Sequence, residues 1–406
     1  MLRFLTAGES HGRSLVAILE GVPAGLIIDF DRITQDLRRR QGGYGRGRRM
    51  AIESDRADII AGVRKGRTTG APIALLIPNK DWDNWQRTMH VEAEPAPGAT
   101  GARRTAVVRP RPGHADLSGG LKYEHEDLRD VLERASARET AARVAVGAIA
   151  RQLLAALGIE VASHVTGIGE VVLPDEPVMP LDRVLAIPAD SPLHCADATA
   201  ELLMIAAIDH AREAGDTLGG SFEVIASGVP AGLGSHVQWD RKLDGRLAQA
   251  LMSIPAIKAV GIGIGTDAAR RPGSRVHDEI VARDAAEGLA IARPTNRAGG
   301  LEGGVTNGEE VRVSAFMKPI ATLMKPLRSV DLTTLEDAPA AIERSDVCAV
   351  PAAAVVGEAV VCLVLAEAVL ERFGGDSMRQ LSRQFRDTNG DVRRRLTRPS
   401  VAPVTS

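Results

Sequence analysis

A nineteen-residue stretch of this chain occurs twice, and no other feature constrains the fold as strongly. Gly8–Leu26 reads GESHGRSLVAILEGVPAGL and Gly215–Leu233 reads GDTLGGSFEVIASGVPAGL. Aligned without gaps, the copies share Gly8/Gly215, Gly12/Gly219, Ser14/Ser221, Ile18/Ile225 and the whole run GVPAGL, and Glu9/Asp216 and Ser10/Thr217 are conservative exchanges. One supersecondary unit is therefore used in both halves. In each copy a short strand (Leu15–Glu20, Phe222–Ser227) enters a Pro-Ala-Gly turn, where Pro fixes φ and Gly allows φ > 0. The pattern predicts a return strand next, Leu26–Phe30 in the first copy and Val237–Trp239 in the second. A helix capped by Asp31 or Asp240 follows. A ββα unit used twice argues for two similar antiparallel sheets related by internal pseudo-symmetry.

Two apolar helices belong between those sheets. Ser136-Ala-Arg-Glu139 has the form of a capping box, and the helix it opens runs to a stop at Gly158. Ala352–Phe373 is the longest apolar run, but it carries Glu358, Glu367 and Glu371, which suits a buried helix better than a membrane span. The fold class expected is α+β, one domain with helices sandwiched between two antiparallel sheets. With no Pro/Ser-rich linker in the chain, residues 1–375 read as one unit of two related halves, about 1–200 and 201–375. Residues 376–406 read as a polar extension whose end, RPSVAPVTS, looks frayed. Three Gly-rich stretches, Gln41–Met50, His114–Leu121 and Asn296–Gly308, read as loops or as places where backbone approaches a ligand.

Composition removes several functional classes. The net charge of −2 gives no global case for nucleic acid or membrane, and eleven aromatics are too few for a base-stacking platform. Cys195, Cys348 and Cys362 show neither metal spacing nor a disulfide framework, which fits a reducing, cytoplasmic setting. The start, MLRFLTAGESHG, lacks a long apolar segment of the secretory type. Paired Cys/His spacings and HExxH are missing, so no metal site is expected. No Gly-rich nucleotide-binding fingerprint follows a strand in a βαβ setting.

The repeat also supplies the first functional lead. Where the first copy has His11, the second has Leu218, so the scaffold does not need an imidazole there. His114 lies in RPRPGHADLSGGL (109–121), where two prolines stiffen the approach and Gly113 frees the turn. A histidine presented so suits general acid–base work, or it is an ordinary loop residue. Arg38–Arg49 sets six arginines among glycines. That tract reads as a phosphate clamp, as a short RNA-binding patch, or as a solvated basic face. Arg134 and Arg138 flank a helix start at Ser136, which reads as an anion site or, with Glu139 satisfying part of that field, as simple capping. Asp346, close to Arg344, is either an ion-pair partner or a base.

Three of these segments together resemble the chorismate synthase family. Gly8-Glu-Ser-His-Gly12 with SLVAILEGVP is similar to its N-terminal signature, Glu133–Thr140 to its central one, and Arg344–Cys348 through Glu358 to its C-terminal one. RPGHAD, GRGRRM, AGGLEGGVTNG (298–308) and MKPIAT (317–322) match in type and order, over roughly residues 1–375. The resemblance implies a carbon–oxygen lyase that converts 5-enolpyruvylshikimate 3-phosphate into chorismate by 1,4-anti elimination of phosphate, the last step of the shikimate pathway. It implies dependence on reduced FMN, a helices-between-sheets fold, and a cytoplasmic homotetramer without nucleic-acid or membrane partners.

By the same resemblance His11 would protonate the departing phosphate, and His114 would donate a proton to the reduced flavin. Asp346 would work with flavin N5 in removing the ring proton, with Ser10 supporting the adjacent network. Arg134, Ala135, Ser136, Pro255, Ala256, Gly303, Lys318, Pro319, Ile320, Ala321, Thr322 and Arg344 would line the flavin site. Ala135 stands where the family commonly has Ser, and Pro255 where some members have Asn. Arg40, Arg46, Arg48 and Arg49 would bind substrate, although the family also associates Arg40 and Arg46 with NADPH. Some members reduce their flavin with NADPH, and others rely on a separate reductase.

Overall fold

The computed structural model describes residues 2–47, 55–174, 178–283, 290–343 and 346–397. The chain opens with strands β1 (Arg3–Ala7) and β2 (Ser14–Glu20), helix α1 (Phe30–Gln41) and strand β3 (Asp58–Ala61). A tight hairpin, β4 (Val63–Arg64) and β5 (Arg67–Thr68), leads to β6 (Ile73–Pro78). A short helical pair, α2 (Asp116–Tyr123) and α3 (Arg129–Arg134), precedes the long helix α4 (Thr140–Ala155). Next come β7 (Glu160–Ile168), β8 (Val171–Val172), α5 (Leu181–Leu185), α6 (Ala198–Ala214), β9 (Gly220–Ser227), α7 (Leu243–Met252) and β10 (Ile257–Ile262). The remaining strands are β11 (Val281–Ala282), β12 (Ile291–Ala292), β13 (Leu301–Glu302), β14 (Val305–Thr306), β15 (Val311–Met317), β16 (Arg328–Asp331) and β17 (Glu336–Pro339). Helices α8 (Val350–Phe373) and α9 (Met378–Arg395) complete the described chain.

Pseudo-symmetry is written in the strand order. The first sheet runs β1-β2-β6-β3 and the second β7-β9-β15-β10, with β8 added at the β7 edge, all antiparallel. The two repeat strands, β2 and β9, hold equivalent places. Because β7 already belongs to the second sheet, the chain passes between sheets at residues 155–160, earlier than the division near 200 drawn from the repeat alone.

The alternation of β2 explains how the layers meet. Leu15, Ala17 and Leu19 point inward with Ile73, Leu75 and Ile77 of β6, and α4 packs on them. On the other side, Phe222, Val224 and Ala226 of β9 meet α8, and α4 and α8 pack against each other. Two glycines allow these close approaches. A Cβ on Gly147 would come within 2.4 Å of the Ala359 Cβ and 2.7 Å of its Cα, and one on Gly357 within 2.5 Å of the Phe222 ring. Helix α8 is long and apolar enough to span a membrane, but most of it is buried inside the fold. Its Glu358, 2% exposed, is held by Arg39, Arg151 and Ser163.

Several local expectations are corrected. No return strand follows either turn. In the first copy Ala24 and Ile27 make only isolated bridges, to Ser377 and Arg67. The β4–β5 hairpin takes up the turn's backbone groups, Gly25 N donating to Thr68 O and Thr68 N to Leu26 O. In the second copy Val237 is exposed and Trp239–Arg241 forms a single 3-10 turn. The α1 cap is Asp29, whose Oδ1 accepts from Asp31 N and Arg32 N, and α7 starts at Leu243 without a side-chain cap. Ser136 Oγ does accept from Arg138 N, but Glu139 turns to Thr6 Oγ1 (2.7 Å) and Arg143 Nε (2.9 Å), charge and geometry favouring these partners over a reach back to the cap.

The Gly-rich stretches are also more regular than loops. His114–Leu121 includes most of α2, and Asn296–Gly308 contains the β13–β14 hairpin. Met50 lies outside the described residues, as does the RPSVAPVTS end at 398–406. The polar extension before that end is the amphipathic helix α9, anchored by buried Leu381 and Phe385, the latter ring 4.9 Å from Phe373.

Candidate active site

The N-terminal repeat brings its histidine onto α3. Just past β1, Ser10 N donates to Glu133 O (3.1 Å) and His11 N to Glu133 Oε2 (2.7 Å). The same carboxylate lies 2.8 and 3.0 Å from His11 Nδ1. The imidazole stacks on Trp85, with centroids 3.8 Å apart and planes at 19°, and the Arg104 guanidinium lies 3.9 Å from the Trp85 centroid. Ser10 is buried and receives the Ser136 hydroxyl at 3.1 Å. Asn79, at the end of β6, ties the loop down by donating to Glu9 O and Gly12 O.

Beneath this loop lies a buried cluster of charge. Arg138 donates to Asn79 Oδ1 (2.9 Å) and to both Asp55 oxygens (2.5 and 2.7 Å). Arg40, 3% exposed, spans Thr140 Oγ1 and Ala137 O, and its Nη1 lies 3.6 Å from Asp55 and makes no hydrogen bond among the described residues. Burial, with Arg138 and Arg46 nearby, outweighs Asp55 and lowers the Arg40 pKa to about 9, so it remains a cation at neutral pH. Arg46 pairs with Asp346 at 2.8 Å, and Gly47 N donates to Asp346 Oδ1 (2.7 Å). Arg39, also from the basic tract, points instead to Glu358 and Asp36. The solvated-face and RNA-patch readings therefore fail for Arg39, Arg40 and Arg46.

The second histidine has a parallel setting. Its Nδ1 lies 2.6 Å from Asp116 Oδ1, and Arg111 brackets the same carboxylate through Nε (2.8 Å) and Nη2 (3.1 Å). Burial alone would raise the Asp116 pKa, but hydrogen bonds from His114 and Arg111 hold it below the usual carboxylate range. Arg111 Nη1 donates to Thr322 Oγ1 (3.0 Å), and Lys318 Nζ donates to Gly113 O. The two histidine settings are mechanically joined, because α2 packs on α3 where Gly119 and Gly120 admit Val131 and Leu128.

The 318–322 segment ties to the rest of the second half. Lys318 N donates to Ala256 O, and Thr217 Oγ1, the repeat partner of Ser10, donates to Ile320 O. A family model described as chorismate synthase matches residues 2–370. The chain belongs to the chorismate synthase family. It is 62% identical to the chorismate synthase of Moorella thermoacetica over 377 residues, 93% of this chain and 95% of that one. It is 57% identical to that of Geobacter sulfurreducens over 391 residues, 95% of this chain and 98% of that one. A solved structure described as a crystal structure of chorismate synthase matches with a TM-score of 0.76 at 42% identity, covering 97% of this chain and 98% of that chain.

Membership allows the residues expected for the family's site to be compared with where they lie. Ser10, His11 and Ser136 form one group, and His114, Lys318, Thr322 and Ala256 another. Arg134 donates to Gly8 O, Thr6 O and Thr6 Oγ1, and Ala135 caps α3. A relay of Thr6, Glu139, Arg143 and Ser253 connects that region to the stretch holding Pro255 and Ala256. Gly303 lies at the tip of the β13–β14 hairpin with φ +62°, and a Cβ there would meet open space. Arg48, Arg49 and Arg344 lie outside the described residues.

Several residues escaped the sequence reading. Arg111 and Asp116 flank His114 at short spacing, so a search for charged neighbours would have found them. Glu133 opens the segment similar to the family's central signature, but nothing local ties it to His11, and Trp85, Asn79 and Asp55 left no signal, since all four meet His11 and Arg138 only through folding.

Proposed function

We infer that this chain catalyses its family's reaction, the 1,4-anti elimination of phosphate from 5-enolpyruvylshikimate 3-phosphate to give chorismate, with His11 as acid to the leaving phosphate. The observation that carries this assignment is the one-sided hold on His11: Nδ1 is engaged by Glu133, while Nε2 has no hydrogen-bond partner among the described residues. An imidazole held by one nitrogen delivers a proton from the other. Arg40 and Arg46 neutralise the substrate's anionic groups, with Arg48 and Arg49 joining them. As the C–O bond breaks, phosphate leaves with the proton from His11, and Asp346 takes up the proton lost from the ring.

Flavin mononucleotide fits the side chains on offer. Its phosphate needs cations, and Lys318 is one such group, its pKa lowered by burial and then by the charge of Lys258. Ser136, Thr322, Arg134 and the backbone at Pro255, Ala256, Gly303, Pro319, Ile320 and Ala321 provide hydrogen-bonding edges, with Arg344 completing the set. Reduced FMN supplies the electron-rich partner that the family's elimination requires without net redox change. His114, steadied by Asp116 and Arg111, holds the proton offered at the flavin's edge. NADPH, at Arg40 and Arg46, or a separate reductase serves as the source of reducing equivalents.

The outer face of the first sheet supports assembly into a homotetramer. Ile18 and Leu5 are 42% and 73% exposed there, whereas Ile225, the repeat partner of Ile18, is fully covered by Val184 of α5 and Ala162. A second copy of the chain would cover the first sheet as α5 covers the second. The setting we assign is the cytoplasm.

The test is an anaerobic assay with chemically reduced FMN and 5-enolpyruvylshikimate 3-phosphate, following chorismate absorbance and free phosphate together. Equal appearance of both, lost when the flavin is oxidised and in His11→Ala and His114→Ala, is the expected result. Flavin binding without product would replace this reading by a flavin carrier or reductase.

A further inference from the structure

We propose that Glu133 and Trp85 are positioning residues for His11: they orient the ring so that only Nε2 can deliver a proton. The proposal rests on the reading of His11 as the acid and goes beyond it to residues outside the acid–base set. Glu133 holds both the main chain and the side chain of one residue. Oε2 accepts from His11 N at 2.7 Å while both oxygens lie within 3.0 Å of Nδ1, and the Glu133 carbonyl accepts from Ser10 N. A carboxylate only accepts, so the proton between these groups sits on Nδ1, and in the acid form, the imidazolium, the proton available for transfer is the one on Nε2. The Glu133 side chain is fully buried and that of His11 is 14% exposed, so little water competes for these bonds.

Trp85 removes the remaining freedom. Rotation about the Nδ1–carboxylate axis would leave that contact intact but swing Nε2 away. The indole, stacked at 3.8 Å, blocks that rotation. Trp85 is itself 4% exposed, is anchored by Nε1 donating to Asp81 Oδ2 (3.0 Å), and has the Arg104 guanidinium over its ring. The second repeat is an internal control. There Leu218 replaces His11, and its backbone N donates to the Val347 carbonyl rather than to a carboxylate. The scaffold alone thus needs neither a buried Glu nor a stacked indole at this position.

The chain has three tryptophans, so Trp82→Phe/Trp239→Phe leaves Trp85 as the sole indole reporter on the stacked ring. In that parent, removing the imidazole by His11→Ala changes the Trp85 emission, which defines the unstacked signal. Glu133→Ala is expected to move emission toward that signal and to lower kcat roughly 100-fold, a loss of the size general acid catalysis supplies, with KM little changed. The isosteric Glu133→Gln, which keeps one accepting oxygen, should fall between, and Glu133→Ala added to His11→Ala should cost little more. Trp85→Leu should lower kcat without touching the Glu133 contact, and serves if the Glu133→Ala protein does not fold. Parental emission and kcat in the Glu133 variants, or undiminished kcat in Trp85→Leu, would overturn the proposal while leaving His11 as the acid. Full turnover by His11→Ala would overturn both.

Discussion

Thr68 and Thr306, each at the centre of a Gly-x-Thr-x-Gly run (66–70 and 304–308), make the same bonds to the two copies of the turn. Thr68 Oγ1 donates to Pro23 O (2.6 Å) and accepts from Leu26 N (2.9 Å), and its carbonyl accepts from Gly25 N (2.8 Å). Thr306 does likewise with Pro230 O (2.6 Å), Leu233 N (2.8 Å) and Gly232 N (2.7 Å). Thr→Val keeps the shape and deletes the hydroxyl, leaving a buried donor and acceptor without partners. We expect Thr68→Val and Thr306→Val each to cost about 1–3 kcal/mol, and by similar amounts, in urea denaturation. A large effect at one site only would mean that the equivalent bonds are not equivalent in energy.

Asp116 is expected to matter through His114. In Asp116→Asn the residue keeps its size, but an amide no longer holds the Nδ1 proton, and Arg111 loses its counter-charge. Turnover should fall by roughly 10²–10⁴-fold, as when the orienting carboxylate of a catalytic histidine is removed. Flavin and substrate affinities measured by titration should change far less. Wild-type turnover would mean that His114 needs no fixed orientation.

Acid should weaken the fold in two stages. Burial, then the charge of Arg39, lowers the His194 pKa, so the folded state keeps this ring neutral. The unfolded chain takes up that proton first, so stability is intact above the ordinary value of 6.5 and declines as pH falls from 6.5 toward the folded value. Glu358 acts lower. Burial would raise its pKa, but Arg151 and Arg39 outweigh that and hold it below the ordinary 4.5. Its contribution is complete above 4.5 and is lost as pH falls through the depressed folded value. Melting temperature followed against pH should therefore drop first below 6.5, and His194→Gln should abolish that first drop while leaving the deeper one.

Gly147 sets the spacing of the central layer. A side chain there meets backbone atoms of α8 at Ala359, which cannot swing aside. We expect Gly147→Val to destabilise by about 1–3 kcal/mol through overpacking, despite the higher helix propensity of Val over Gly. An unchanged denaturation midpoint would show that α4 and α8 can separate without cost.

Much of the architecture was legible in the chain. The twofold unit, the buried character of α8 and the placing of helices between sheets all follow from periodicity and from one repeated motif. The return strands expected at Leu26–Phe30 and Val237–Trp239 do not form because a turn's backbone groups can be satisfied by any nearby partner, and here the partner is a hairpin some forty to seventy residues away. Asp29 rather than Asp31 caps α1 because it has the same chemistry two positions earlier and its side chain faces the free N–H groups of Asp31 and Arg32.

The site divides in the same way. The sequence by itself determined the kinds of group available: a histidine specific to one repeat, a histidine beside Arg111 and Asp116, and a cluster of arginines in the last turn of α1 and just beyond it. Those features are local, fixed by residue type and short spacing. Only the tertiary structure decided that Glu133, 122 residues away, clamps His11, and that Arg111 reaches Thr322 across 211 residues. Hydrogen bonds and stacking act within a few ångströms of space and are indifferent to distance along the chain. Such partnerships exist only after the two sheets have closed over their helices.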